Sequence, residues 1–216
     1  MADQHRNYQR ELDKLINNIE ETGKRPRLLL HACCAPCSSY VLEYLSAWFD
    51  ICVYFYNPNI DTREEYDKRA KELRSMIERM KVPVRLIVAE YDPESFYRVA
   101  KGHEKDPERG ERCRLCYELR LSETARLLKE LSDKGEHFDY FCTTLSISPL
   151  KDAKALNDIG ERVAASEGLS FLPSDFKKRN GYKRSIELSG IYGLYRQDYC
   201  GCVFSRRERQ GQILLT

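Results

Sequence analysis

Seven cysteines in three short segments carry the chemistry this sequence can support: Cys33, Cys34 and Cys37 in HACCAPCSS, Cys113 and Cys116 in RCRLCY, and Cys200 and Cys202 in YCGCVFS. A C-x-x-C spacing lets both sulfurs face one metal, because the two intervening residues make a single turn. One such pair is a weak signal, whereas two of them with a C-x-C in one small chain are a strong one. Seven thiols exceed the four ligands of a closed zinc site and the four thiolates of one iron–sulfur cluster, so some must serve a second purpose. A structural zinc on four of them is the competing reading, but a zinc ribbon would sit on hairpin loops of its own, which the sequence does not offer. For Cys200-Gly201-Cys202 two readings stand side by side. A disulfide across one residue closes a strained, easily reduced ring, and two ligands to a metal fit equally well. Cys52 and Cys142 lie in apolar runs and read as small buried hydrophobes.

The elements that must position these thiols follow from pattern. RLLLH at 27–31 suits a buried strand, as do ICVYFY at 51–56, closed by the turn Asn57-Pro58-Asn59, and the runs at 84–89 and 140–143. Tyr8, Leu12, Leu15, Ile16 and Ile19 recur at helical spacing before Gly23 and Pro26. Further helices are predicted over 38–48, 62–80, 113–134, 152–167 and 185–195, with a short one opening at Pro93 behind the cap Asp92. Residues 101–112, with Gly102, Pro107 and Gly110, read as a loop. Alternating strands and helices predict a single α/β domain over 1–216: a mainly parallel sheet with helices on both faces. The helix within 1–23 is expected to pack on its outside, and 174–205 to complete the active site. In such sheets ligands bind beyond the carboxyl ends of the strands, and the first cysteine cluster follows the first strand directly.

Composition narrows the setting. Charged residues at 32% and apolar ones at 42% describe a globular chain of about one domain. A net charge of +2 does not by itself imply nucleic-acid binding. The charged stretch at 1–22 does not resemble a secretory signal, and no run is apolar enough to span a membrane, so a cytoplasmic protein is expected, without a membrane partner. In that reducing setting nine cysteines, an odd count, point to metal or redox work ahead of disulfides.

Taken together, HACCAPCS, YNPNI, RCRLCY, TTLSISPLK, DFKKRNGY and LYRQDYCGCVFS resemble the QueH family, the cobalamin-independent epoxyqueuosine reductases. The likeness extends from His31 to Ser205 without departure at the cysteine positions. It implies a nucleotide-hydrolase-like (HUP-type) α/β fold with a metal site at the strand ends. The implied activity is the last step of queuosine formation in tRNA, reduction of the epoxide of epoxyqueuosine to an alkene, with electrons from an external donor. It also implies a 4Fe–4S cluster on Cys33, Cys34, Cys113 and Cys116, and an adjacent mononuclear iron or other metal. Cys200 and Cys202 would be a redox-active pair, and Cys37 would bind the second metal or position its loop. No Gly-x-Gly or Gly-Lys-Ser/Thr pattern follows a strand, so ATP use is not supported.

Removing an epoxide oxygen as water takes two electrons and two protons. Asp175 and Asp198 are the candidate proton donors, with a turn or helix cap as the alternative role of each. From Lys177 to Arg209 nine cations (Lys177, Lys178, Arg179, Lys183, Arg184, Arg196, Arg206, Arg207, Arg209) interleave with Tyr182, Tyr192, Tyr195 and Tyr199. Phosphate pairing and base stacking would suit an anticodon loop; a solvated helical surface is the plainer alternative. His31 either tunes the metal or is a satisfied strand-end residue, and His5, His103 and His137 read as surface residues. Lys151 either meets phosphate or opens the next helix. Three other functions compete: a zinc-stabilised RNA-binding module, a metal-free thiol oxidoreductase, and a tRNA sulfur-transfer enzyme, which would need the missing ATP loop.

Overall fold

The computed structural model describes residues 6–211; His5 lies outside them. Four strands, β1 (Arg27–His31), β2 (Asp50–Phe55), β3 (Arg85–Val88) and β4 (Tyr140–Thr143), form one all-parallel sheet in the order β3-β2-β1-β4. The helices are α1 (Tyr8–Thr22), α2 (Ala35–Leu45), α3 (Arg63–Met80), α4 (Pro93–Ala100), α5 (Glu111–Asp133), α6 (Ala153–Glu167), α7 (Gly181–Ile191) and α8 (Val203–Arg209).

Successive strand side chains point to opposite faces, and the two faces feed two cores. Leu28 and Leu30 of β1, with Ile51, Val53 and Phe55 of β2, meet Leu12 and Ile16 of α1, Leu42 of α2 and Leu73 of α3. Leu29, Cys52, Tyr54 and Phe141 meet Tyr117, Leu121 and Leu128 of α5 and Ile159 and Val163 of α6. The two-sided α/β architecture expected from the sequence is thus the one observed. Cys52 and Cys142 are buried in these cores. None of the helices among the described residues is long and apolar enough to cross a membrane.

Helix bounds differ from the sequence reading at several points. α2 begins at Ala35, not Ser38, because Pro36 fits the first helical turn and extended Cys34 serves as the cap. α7 begins at Gly181 behind left-handed Asn180; a Cβ at Gly181 would lie 2.0 Å from the Phe176 carbonyl oxygen, so only glycine opens the helix there. α8 and a single 3-10 turn at Thr144–Ile147 were not anticipated.

The strand order places the site. From β1 the chain builds outward through β2 and β3, then returns to add β4 on the other side of β1. The switch point therefore falls between the carboxyl ends of β1 and β4, where a crevice opens in such sheets. Cys33 follows β1 and Thr144 follows β4, and the Cys33 amide donates to Thr144 Oγ1 at 3.2 Å across that crevice.

Candidate metal centre and substrate cavity

The loop after β1 and the first turn of α2 bring the first three thiols onto one point. The sulfurs of Cys33, Cys34 and Cys37 lie within 4.8 Å of one another, the group of potential ligands among the described residues close enough to share an ion. A tetrahedral metal with bonds of about 2.3 Å to sulfur holds its ligands about 3.8 Å apart, and Cys33 Sγ lies 3.8 Å from Cys34 Sγ. The donor set therefore fits a thiophilic metal. Hydrogen bonds from Cys34 and Cys37 lower the Cys33 thiol well below its usual value, and Arg120 and the Thr144 hydroxyl act in the same direction. The same sharing of protons raises Cys34 and Cys37.

The other four thiols come from α5 and the turn before α8. Cys113 and Cys116 sit three apart in the first turns of α5, on its buried face. Cys116 and Cys202 pack together with Phe96 and Ala100, bordered by Cys200 and Phe204. Cys33 in turn borders the apolar cluster that contains Cys113. Burial raises both α5 thiols, Cys116 to about 11, and the Cys200 charge adds to each shift. Cys200 and Cys202 are free thiols with sulfurs 3.4 Å apart. The hydrogen bond shared with Cys202 holds the Cys200 thiol well below its usual value, helped by the charge of Lys151.

Gly201 makes that turn possible. Its φ is +115°, and a Cβ there would stand 2.9 Å from Ile60 Cγ1 and 3.3 Å from Arg69 Nη1. Around it Asn59 Nδ2 and Arg69 Nη1 donate to the Cys200 carbonyl at 3.2 and 3.3 Å, and the Asp61 amide donates to the Gly201 carbonyl at 3.1 Å. Gly201→Ala is expected to cost about 2–3 kcal/mol through backbone strain and these contacts. Urea unfolding measures the loss; a variant as stable as the parent would show that the turn yields freely.

A cavity of about 140 Å³ opens beside the sulfurs, lined by all three loop cysteines, Cys200, Arg69, Arg120, Lys151, Tyr182, Arg196, Gln197, Asp198 and Tyr199 among others. Three of its cations are buried: Arg69, Arg120 and Lys151. Burial works against the charge on Lys151, but Cys200, Tyr117 and Glu108 outweigh it and hold the ammonium protonated, with Nζ 3.3 Å from Glu108 Oε1. The buried hydroxyl of Tyr117 and Oε1 of Gln197 have no hydrogen-bond partner among the described residues.

His31 is buried at the end of β1. Its Nε2 lies 2.9 Å from the Tyr56 carbonyl oxygen and its Nδ1 2.8 Å from Thr143 Oγ1. Because a carbonyl only accepts, Nε2 carries the hydrogen and Nδ1 accepts from the Thr143 hydroxyl; Arg120 Nε, 3.3 Å from Nε2, is then a neighbouring charge and not a donor. Burial, with that charge, lowers His31 to about 3. The unfolded chain takes up a proton near pH 6.5 that the folded one refuses, so stability is full above that pH and falls as pH drops towards the folded value. Between pH 6.5 and 5 the loss from this residue is expected to approach about 2 kcal/mol. Urea midpoints of wild type and His31→Asn across that range check it; equal pH slopes would remove His31 as the cause.

The sequence-predicted residues divide between places. Asp198 lines the cavity, whereas Asp175 lines a neighbouring groove and pairs with Lys177 at 2.6 Å. The basic run does not form one open face. Arg179 pairs with Asp13, Arg184 with Glu43 and Glu187, and Arg206 with Asp61. Tyr192 and Tyr195 lie against Arg79 and Lys68, leaving Tyr182, Tyr199 and Arg196 at the cavity. His103 is hydrogen-bonded to Asp106 at 2.9 Å, and His137 is exposed. Arg69 and Arg120 were not anticipated. Arg120 follows Cys113 and Cys116 at helical spacing on the same face of α5, and a charged residue continuing a buried stripe was the available signal.

Fold and site define a class: a parallel α/β protein with a thiol-lined centre at its topological switch point. A model of the family described as "Epoxyqueuosine reductase QueH" matches residues 28–208. Similar proteins carry the same description. The one from Staphylococcus epidermidis is 43% identical over 97% of this chain and 88% of its own length. For Streptococcus pyogenes serotype M1 the figures are 42%, 93% and 78%, and for Thermotoga maritima 34%, 86% and 95%. The chain belongs to the epoxyqueuosine reductase QueH family.

Proposed function

We propose that this protein reduces epoxyqueuosine in tRNA to queuosine, the last step of queuosine formation, in the cytoplasm and with electrons from an external donor. The epoxide accepts two electrons and two protons, both C–O bonds break, an alkene forms and the oxygen leaves as water. The observation that carries this reading is that four thiols (Cys33, Cys34, Cys37 and Cys200) and three buried cations line one cavity at the switch point, with Cys116 and Cys202 packed beside Cys200 and Cys113 in the cluster that Cys33 borders, in a chain of this family.

Cys33, Cys34, Cys113 and Cys116 would hold a 4Fe–4S cluster, and Cys37, beside Cys33 and Cys34, would serve an adjacent metal such as iron. Bound there, such centres supply electrons one at a time and a Lewis acid. The chain's own residues do the rest. Lys151, Arg120 and Arg69 set a positive field in which negative charge developing on the departing oxygen is stabilised. Asp198 delivers a proton at the cavity wall, a role for which Asp175, turned to the groove, is less well placed. Cys200 and Cys202, two thiols with sulfurs 3.4 Å apart, can give up two electrons and two protons on closing to a disulfide, which the external donor reduces again. Tyr182 and Tyr199 offer rings to the base, and Gln197 Oε1 an unused acceptor to its N–H groups.

The test is oxygen-free purification, quantification of iron and sulfide, and incubation with epoxyqueuosine-containing tRNA plus a chemical reductant. Nucleosides of the digested tRNA should lose one oxygen in mass. A colourless zinc protein without sulfide that leaves the tRNA unchanged would refute the proposal and favour a zinc-stabilised RNA-binding module.

A further inference from the structure

Next to the sulfur cavity runs a wider groove of about 680 Å³, and Pro149 and Lys151 line both. Six cations face it, Arg6, Arg109, Lys151, Lys154, Lys177 and Lys178, of which four are paired: Arg6 with Glu11 and Glu161, Lys151 with Glu108, Lys154 with Asp158 and Lys177 with Asp175. They arrive from the chain start, the loop before α5, the first turn of α6 and the turn before α7, so the accumulation is a product of the fold and invisible along the sequence. Two carboxylates share the lining, and both are already engaged. Asp152 caps α6, accepting from the Lys154 and Ala155 amides at 2.9 and 3.2 Å, and Asp175 is held by Lys177. Arg109 spends its guanidinium on the carbonyls of Pro149 and Leu150, and neither it nor Lys178 has a carboxylate partner among the described residues.

A groove with this charge repels metal ions and attracts anions. Its position identifies which anion. A nucleoside within RNA carries a phosphodiester on each side of its ribose, so a base inserted in the cavity leaves phosphates just outside, within one nucleotide of the mouth. The wall at Pro149–Lys151 is what separates the two spaces.

We propose that this groove seats the RNA phosphodiester backbone flanking the nucleoside held in the cavity, an inference that rests on the tRNA reading above. The contacts are to phosphate and position the strand without reading sequence. Arg6, Arg109 and Lys154 belong to this surface although they lie outside the basic run at 177–209.

The experiment uses the full chain with its metal as isolated and a fluorescently labelled anticodon stem-loop RNA, titrated by anisotropy at several salt concentrations. Lys178→Glu and Lys154→Glu are made singly and together, with Lys134→Glu, at the far end of α5, as the control. Both target side chains are exposed, and glutamate suits the first turn of α6; should Lys154→Glu unfold, Lys178→Glu alone carries the test. The double variant is expected to raise Kd about tenfold or more near 0.1 M salt and to flatten the slope of log Kd against log salt by about one per cation removed. The control should stay within about twofold. Unchanged Kd and slope in the double variant overturn the groove. If wild type still converts epoxyqueuosine tRNA in that case, the function survives and only the groove falls; if wild type converts nothing, the function itself falls.

Discussion

Cys113→Ser is expected to lose bound iron and sulfide together with epoxyqueuosine reduction, whereas Cys200→Ser should keep its iron and lose turnover by about 100-fold or more. The contrast follows from where the two thiols sit. Cys113 is fixed in the first turn of α5, on the buried helix face that also carries Cys116. Serine there replaces a soft donor by a hard one that a thiophilic centre binds poorly. Cys200 instead stands on the turn built around Gly201, 3.4 Å from Cys202, at the wall of the cavity. Its thiolate is prepared by a hydrogen bond and by Lys151, the preparation a redox thiol needs. A hundredfold loss corresponds to about 2.7 kcal/mol of transition-state stabilisation. Iron and sulfide per chain, visible absorption and single-turnover conversion are the readouts. The reverse pattern, iron lost in Cys200→Ser and kept in Cys113→Ser, would mean that the C-x-C pair holds the centre and the assignment must be exchanged.

The sheet and the cysteine groups were legible in the sequence for a shared reason: both are written locally. RLLLH and ICVYFY announce buried strands by unbroken apolar character, and C-x-x-C announces itself by spacing. Strand order was not local, since nothing within 140–143 says that this strand returns to the far side of β1. That return creates the crevice into which Cys33 and Thr144 project. Helix starts at Ala35 and Gly181 were missed because they depend on one extended cysteine and on the close approach of Phe176 and Tyr40 to a glycine. The basic run misled in a similar way. Read linearly it is a cationic face; folded, Asp13, Glu43 and Asp61 from elsewhere in the chain pair with much of it. Cations from four separate segments meet in the groove instead.

Arg120→Met is expected to cost the metal-loaded protein about 3 kcal/mol or more and the metal-stripped protein much less. Arg120 is 3% exposed, donates to Asn57 Oδ1, and has no carboxylate partner among the described residues. A buried guanidinium without a counter-charge is costly, so its compensation must come from what it faces, and its charge acts on Cys33 and Cys116. With those sulfurs ionised as ligands the charge is balanced. In the stripped protein Cys116, raised by burial, stays protonated, so less of the charge is offset and an apolar side chain of similar length serves nearly as well. Arg120 therefore stabilises loaded over stripped protein, and methionine should narrow that gap. Urea unfolding of both forms of both proteins closes the cycle. A gap of the same size in wild type and variant would show that Arg120 supports the fold through Asn57 alone and has no coupling to the sulfurs.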